Sequence, residues 1–489
     1  MKLMRLHIVR LLLMALLVLP AATSCYNYDE GEVVNYSTPA NYINITISVS
    51  TGENSVTRAP QGGEDGDGRE AGFVRENTVS GITVILYKGT GLNDASAKID
   101  FIRYFTVTEE NNLEGRDPQG TTYNYQASET YRSEARYTTG DQKIEDEELD
   151  FSGTYHVLIV ANKNIISDNC QKGTPISNVL NLNINDIYTV DDADKAKPDK
   201  YQQFVMTSER DAIIDFNSMA PVQKEGVQNG LVYRVMKPLL IERMSARIDY
   251  YTSGAVYDSD KNGYKYQVGS SSDIFVVTKV TPFNLYNEQE YLFKRVRTNW
   301  TDATPTYTYL GDENEDNYVE DPKTSAKNNG NTNQPNYLSP IAETMSTDYV
   351  QIMNNLSDGQ KTQIDNKDNI IIAYPKENTL MPTSYLKNYA TGIAFEGYYY
   401  YGGTGTGVKR VYYHFLRHQG ESSTSYQAKL WTDITGSETC SPTVPMNFGV
   451  VRNNIYRISI ESISPMGEYI MIKIEEEKWR HVDNPAIYI

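Results

Sequence analysis

The sequence predicts an all-β protein built from β-sandwich domains, and three observations carry that expectation. Short apolar or alternating runs, separated by polar loops, recur along the whole chain. Tyrosine is used 39 times against 12 phenylalanines, a choice suited to the half-exposed faces of sheets. No glycine-rich phosphate loop, strand–helix rhythm or heptad pattern competes with this reading. The 489 residues are long for one domain, and two or three sandwich-sized units are expected.

The amino terminus reads as an export signal. MKLMRLHIVR is basic and LLLMALLVLP is apolar but short for a membrane span, so residues 1–24 are assigned to a signal peptide. Thr23 and Ser24 then precede Cys25, which resembles the lipobox of bacterial lipoproteins and implies a diacylated Cys25 as the new amino terminus. Ala22 stands where that family prefers leucine, and signal cleavage with an incidental Cys25 is the alternative. The formal charge is −18, and the leader contributes Lys2, Arg5 and Arg10 but no acid. The exported part is therefore more acidic still, which argues against nucleic acid and against electrostatic docking on anionic lipid.

The first strand comes next. Ile43, Ile45, Ile47 and Val49 alternate with Asn44, Thr46 and Ser48, so four apolar side chains share one face of an extended segment. TGENSVTRAPQGGEDGDGRE follows, glycine-rich, acidic and open to proteases. It contains Arg58 and Arg69, with Arg75 just beyond. From residue 78 strands are expected at 82–88, 99–107, 155–162, 231–236, 238–251, 273–280, 291–296, 369–375, 397–403, 408–417, 455–460 and 468–479. The continuous apolar run of 155–162 marks a central strand, and a short helix is expected within 176–200. A domain boundary is placed near 240. Residues 311–336 read as a solvated loop. Asp312, Asn314 and Asp316 have calcium-loop spacing, but Asn317 and Lys323 replace the turn glycine and the closing glutamate.

The chain offers no constellation for catalysis and calls for no cofactor. Of its histidines, His156, His414, His418 and His481 follow the leader. On a strand, His414 and His418 would lie about 13 Å apart, too far to share a metal. Cys170 and Cys440 could pair or stay as buried thiols. Tyrosine content alone would fit a glycan-binding surface lipoprotein.

Taken together, the lipobox, the alternating strand, Arg58–Ala59 in a polar stretch and YHVLIVANK resemble the fimbrillins of Bacteroidales type V pili. The likeness is nearest to the shaft subunit of the minor fimbria. IERMSARIDYY is similar to the family's entry into its second domain, and residues 445–479 are similar to its carboxy-terminal block. The resemblance implies two tandem transthyretin-like β-sandwich domains, at 59–240 and 241–489, behind a lipidated propeptide, 25–58. It implies an outer-membrane precursor cut after Arg58, before Ala59, by a trypsin-like, arginine-specific protease. The product is an extracellular fimbrium of like subunits, in contact with a host or bacterial surface receptor.

Removing Ile43, Ile45, Ile47 and Val49 would open an apolar groove for a donated strand. The expected donor is 468–489, through Ile470, Ile472, Ile474, Trp479, Ile487 and Ile489, the alternative being that this tail pairs within its own domain. A tip or accessory adhesin, needing no donor, is the second reading.

Overall fold

The alternating and apolar runs form strands in the computed structural model, which describes residues 40–50, 72–109, 131–132, 134–145, 147–194, 198–252, 255–297, 306–310, 318–327, 334–338, 369–418, 422–440 and 447–478. Strand makes up 49% and helix 10%, an all-β arrangement of large curled sheets consistent with sandwich domains. The first half contains β1 (Asn41–Ser50), α1 (Val74–Asn77), β2 (Gly81–Lys88), β3 (Lys98–Thr106), β4 (Thr108–Glu109), β5 (Glu134–Thr138), β6 (Gln142–Ile144) and β7 (Thr154–Ala161). It continues with α2 (Ile176–Leu180), β8 (Met206–Ser208), β9 (Ala212–Asp215), β10 (Val222–Gln223) and β11 (Leu231–Arg243). The second half contains β12 (Arg247–Tyr251), β13 (Val256–Asp258), β14 (Gly263–Gln267), β15 (Ile274–Phe283) and β16 (Asn369–Ala373). It ends with β17 (Gly392–Tyr400), β18 (Val408–Phe415), β19 (Ser422–Leu430), β20 (Asn454–Ile463) and β21 (Ile470–Lys478). Shorter strands are named by residue.

An 11-stranded sheet runs β3-β2-β7-β8-β11-β1-β5-β4, with β9 on β7, β10 on β11 and β6 on β1. A 10-stranded sheet runs β13-β14-β15-β17-β18-β19-β21-β20-β12-β16. The chain passes from one to the other between Arg243 and Arg247.

Burial explains the sequence patterns. β2 and β7 are buried on both faces: Val84, Leu86, Val157 and Ile159 join one cluster, while Ile85, Tyr87, Leu158 and Val160 join another. A strand covered on both sides reads as a continuous apolar run. α2 covers the second cluster with Ile176, Val179 and Leu180, neighbours on one helical face. The larger cluster runs from Ile43, Ile45 and Ile47 to Ile458, Ile472 and Ile474, so one apolar core serves both sheets.

Three expectations are corrected. The strand expected at 397–403 begins at Gly392 and stops at Tyr400, because Gly402 and Gly403 turn the chain with φ of 64° and 72°. The strand at 291–296 is broken: Leu292 and Phe293 are buried between the short strands Glu290–Tyr291 and Arg295–Arg297. Within 311–336, Tyr318–Val319 pairs with Arg297 and Val296, and Val319 is buried. Lys327 there is fully buried, its ammonium paired with Asp321 and donating to Asn378 Oδ1 at 2.7 Å and the Thr379 carbonyl at 2.9 Å. A charge can leave water when its donors are all met. Asp312, Asn314 and Asp316 lie outside the described residues.

Candidate functional site

β1 is an interior strand. It runs parallel to β11, with Ile43 opposite Tyr233 and Ile45 opposite Val235, and antiparallel to β5 and β6 on its other edge. Ile43, Ile45 and Ile47 are each 0% exposed. Each such side chain contributes roughly 1.5–3 kcal/mol through burial. Between Ile45 and Ile47 the register on β11 jumps from Val235 to Leu239, a bulge that contains Pro238, which has no N–H for the ladder. Past the bulge Ser48 is buried as well. The side chain of Val49 is outside the described residues, as are Cys25, Arg58, Ala59 and Arg69.

The polar side chains of β1 are tied down too. Asn44 donates to Asp141 Oδ1 at 3.0 Å and accepts from the Thr138 hydroxyl at 2.7 Å. The Ile45 N–H donates to Thr139 Oγ1 at 3.0 Å, and the Ile45 carbonyl accepts from the Thr139 N–H at 3.0 Å. Lys224 reaches Asp141 Oδ2 at 2.9 Å and lies over the Tyr42 ring. Burial alone would raise the Asp141 pKa, but Lys224, Asn44 and Arg234 together hold it below the ordinary value. On the far side of β11, a cleft of about 830 Å³ separates that strand from β9 and is lined by Ile213, Ile214, Val222, Val235 and Leu239.

Arg75 has a different setting from an exposed cleavage site. It lies in α1, donates to the Tyr374 hydroxyl at 2.9 Å and the Tyr201 carbonyl at 3.2 Å, and packs over the Tyr374 ring. Its neighbour Glu76 is fully buried against Arg247 at 3.3 Å and Tyr374. Asn77 and the Glu76 carbonyl take the guanidinium of Arg243, and the Tyr137 hydroxyl donates to the Asn77 carbonyl at 2.9 Å. Burial pulls the Arg243 pKa down to about 10, Glu76 opposes that pull, and Arg247 adds to it. The sequence reading missed this cluster. VREN carries no spacing that separates a buried ion pair from a solvated turn.

At the carboxy terminus, Ile470, Ile472 and Ile474 belong to β21, which lies between β19 and β20 and is buried at all three positions. These residues pair within their own sheet. Trp479, Ile487 and Ile489 lie outside the described residues.

The remaining candidates are structural. His414 is buried on β18, and His418 is buried beyond its end, paired with Glu476 and 3.2 Å from the Tyr456 hydroxyl. His156 meets Asp211 at 2.7 Å and stacks on Tyr87; His481 lies outside the described residues. Cys170 and Cys440 are free, buried thiols in separate clusters. Among the described residues, no group of His, Cys, Asp and Glu is disposed to hold a metal ion.

The fold and site define a class: an all-β chain whose first described strand fills an interior slot of a sheet made by residues much later in sequence. No family model matches the chain, and no curated protein matches it. Among solved structures it is similar to a provisionally assigned cell adhesion protein from Parabacteroides distasonis, with 13% identity, 91% of this chain and 100% of that one covered, and a TM-score of 0.42. It is also similar to a fimbrilin from Porphyromonas gingivalis, with 13% identity, coverage of 91% and 99%, and a TM-score of 0.38. A third is the tip fimbrial protein Mfa3 from Porphyromonas gingivalis, with 10% identity, coverage of 90% and 100%, and a TM-score of 0.37.

Proposed function

We propose that this chain is a fimbrillin, a structural subunit of a surface fimbrium that polymerises by strand exchange. The observation that carries the reading is β1: three fully buried isoleucines in an interior slot, joined to the body through a polar, arginine-bearing stretch. Excision of such a strand exposes apolar sockets and two unpaired strand edges, and a strand from a second copy restores both. Contacts of this head-to-tail kind do not close, so they propagate a filament.

In this reading the precursor is exported, held at the outer membrane by lipid on Cys25, and cut after Arg58 by an arginine-specific protease. The engagement of Arg75 inside the fold supports a cut upstream of it, at Arg58 or Arg69. Because β21 completes its own sheet, the donor is narrowed to 479–489, with Trp479, Ile487 and Ile489 as anchors. Partners are like subunits, the protease and a surface receptor, and no catalytic role is assigned.

Limited trypsin digestion of the purified precursor tests this. The expected outcome is a new amino terminus at Ala59 and filaments by electron microscopy. A clean cut at Arg58 that yields monomers alone would overturn the proposal.

A further inference from the structure

The two walls of the β1 slot are joined to each other by side chains that do not belong to β1. One join lies where β1 leaves the sheet. Tyr137 on β5 donates to the Asn77 carbonyl at 2.9 Å, and Arg243 at the end of β11 donates to the Glu76 carbonyl at 3.1 Å and to the Asn77 side chain. The segment 76–77 thus bridges β5 to β11. All four residues are at most 4% exposed. The other join lies where β1 enters. Asp141, between β5 and β6, meets Lys224 at 2.9 Å, in the turn between β10 and β11, and lies 4.0 Å from Arg234 on β11.

These joins hold the two ends of a stretch of β11 that has little other support. Among the described residues, the ladder of β11 outside β1 is confined to Leu231 and Val232, on β10, and to Ile241–Arg243, on β8. Between these ends, Arg234, Val235 and Leu239 border the cleft instead. The far edge of β5 meets the two-residue β4 at Thr138 and Tyr137. With β1 absent, an unbraced β11 would be free to close the slot or fold across the cleft.

We propose that Tyr137–Asn77–Arg243 and Asp141–Lys224 are two clasps that keep the slot open after β1 is removed, so that the subunit presents a preformed acceptor to an incoming strand. The inference rests on the strand-exchange reading and adds the residues that hold its binding site. Every clasp residue follows Arg58 in sequence and would be kept by the cut subunit. A preformed slot saves the incoming strand the cost of reopening and ordering the walls.

The test is binding of a dye-labelled synthetic copy of residues 43–50, which omits Tyr42 and its contact with Lys224, to protein cut by trypsin at Arg58, followed by fluorescence anisotropy. Wild type is compared with Tyr137→Phe, Lys224→Met and the conservative Lys224→Arg. The expected result is binding by wild type and by Lys224→Arg, and binding weaker by about tenfold for Tyr137→Phe and Lys224→Met. The uncut variants, with β1 in place, should keep thermal midpoints within a few degrees of wild type, which separates slot maintenance from general stability. Equal peptide affinity in all four cut proteins overturns the clasps and leaves strand exchange standing. A cut wild type that neither binds the peptide nor polymerises overturns strand exchange, and the clasps with it.

Discussion

His414 stands on β18 with its ring 4.9 Å from that of Tyr426. Burial, reinforced by the nearby Arg417 guanidinium, pulls its pKa down to about 3. The folded chain therefore refuses a proton that the unfolded chain accepts below its ordinary pKa of 6.5. Stability is complete above that value and falls as the pH drops towards 3, by roughly 1.4 kcal/mol for each pH unit. Urea midpoints measured across this window should decline for wild type and decline less for His414→Gln; parallel curves would refute the assignment. Asp141 acts lower down. Its depressed pKa gives stability that is present above the ordinary carboxylate value of 3.8 and lost as the pH falls through the folded one. Neither environment could be read from the sequence. VYYHFLRH shows a strand, but not that β17 and β19 flank it and exclude water from His414. Glu76 and Arg247 are likewise far apart in sequence and meet only through the fold.

At the scale of elements, β1 was legible because just one of its faces is apolar, the other carrying hydrogen-bonded polar side chains, so the period of two survives in the sequence. β19 was not legible. SSTSYQAKL is polar, yet it holds its place because β18 and β21 supply the backbone ladder on both edges. The tail reading divides along the same line: alternation in Ile470, Ile472 and Ile474 announces a strand but cannot name its partners. These placements can be tested one by one. Ile45→Asp puts an unpaired carboxylate into the slot at a cost of several kcal/mol, enough to expel β1. Uncut Ile45→Asp precursor should then self-associate on size-exclusion chromatography without protease, and a strictly monomeric variant would show that β1 does not guard the slot. Removal of 479–489 should leave the precursor as stable as wild type but unable to polymerise when cut. Ile472→Ala, in contrast, should cost about 2–5 kcal/mol in urea unfolding because β21 is central to its sheet.

For the whole molecule, the question is how two large sheets behave as one body. The apolar core is continuous across them, and polar contacts seal the junction. Asn183–Ile184 pairs with Tyr291 and Glu290, and Lys376 donates to the Asn185 carbonyl at 2.6 Å. The Arg243 N–H donates to Asn453 Oδ1 at 3.2 Å, and Glu76 pairs with Arg247, which holds Asp249 at 2.7 Å. Burial raises the Asp249 pKa and Arg247 opposes that rise, so Arg247 serves two buried carboxylates together. Breaking a buried pair by removing one partner costs up to about 3–5 kcal/mol, and less here because Arg247 keeps Asp249. Glu76 belongs to the first half of the chain and Arg247 to the second, so that cost falls on the junction and not on either sheet alone. Differential scanning calorimetry of the uncut precursor should give one endotherm, and Glu76→Gln should split it, with the first half melting earlier. A single endotherm shifted as a whole would place the coupling in the shared apolar core instead.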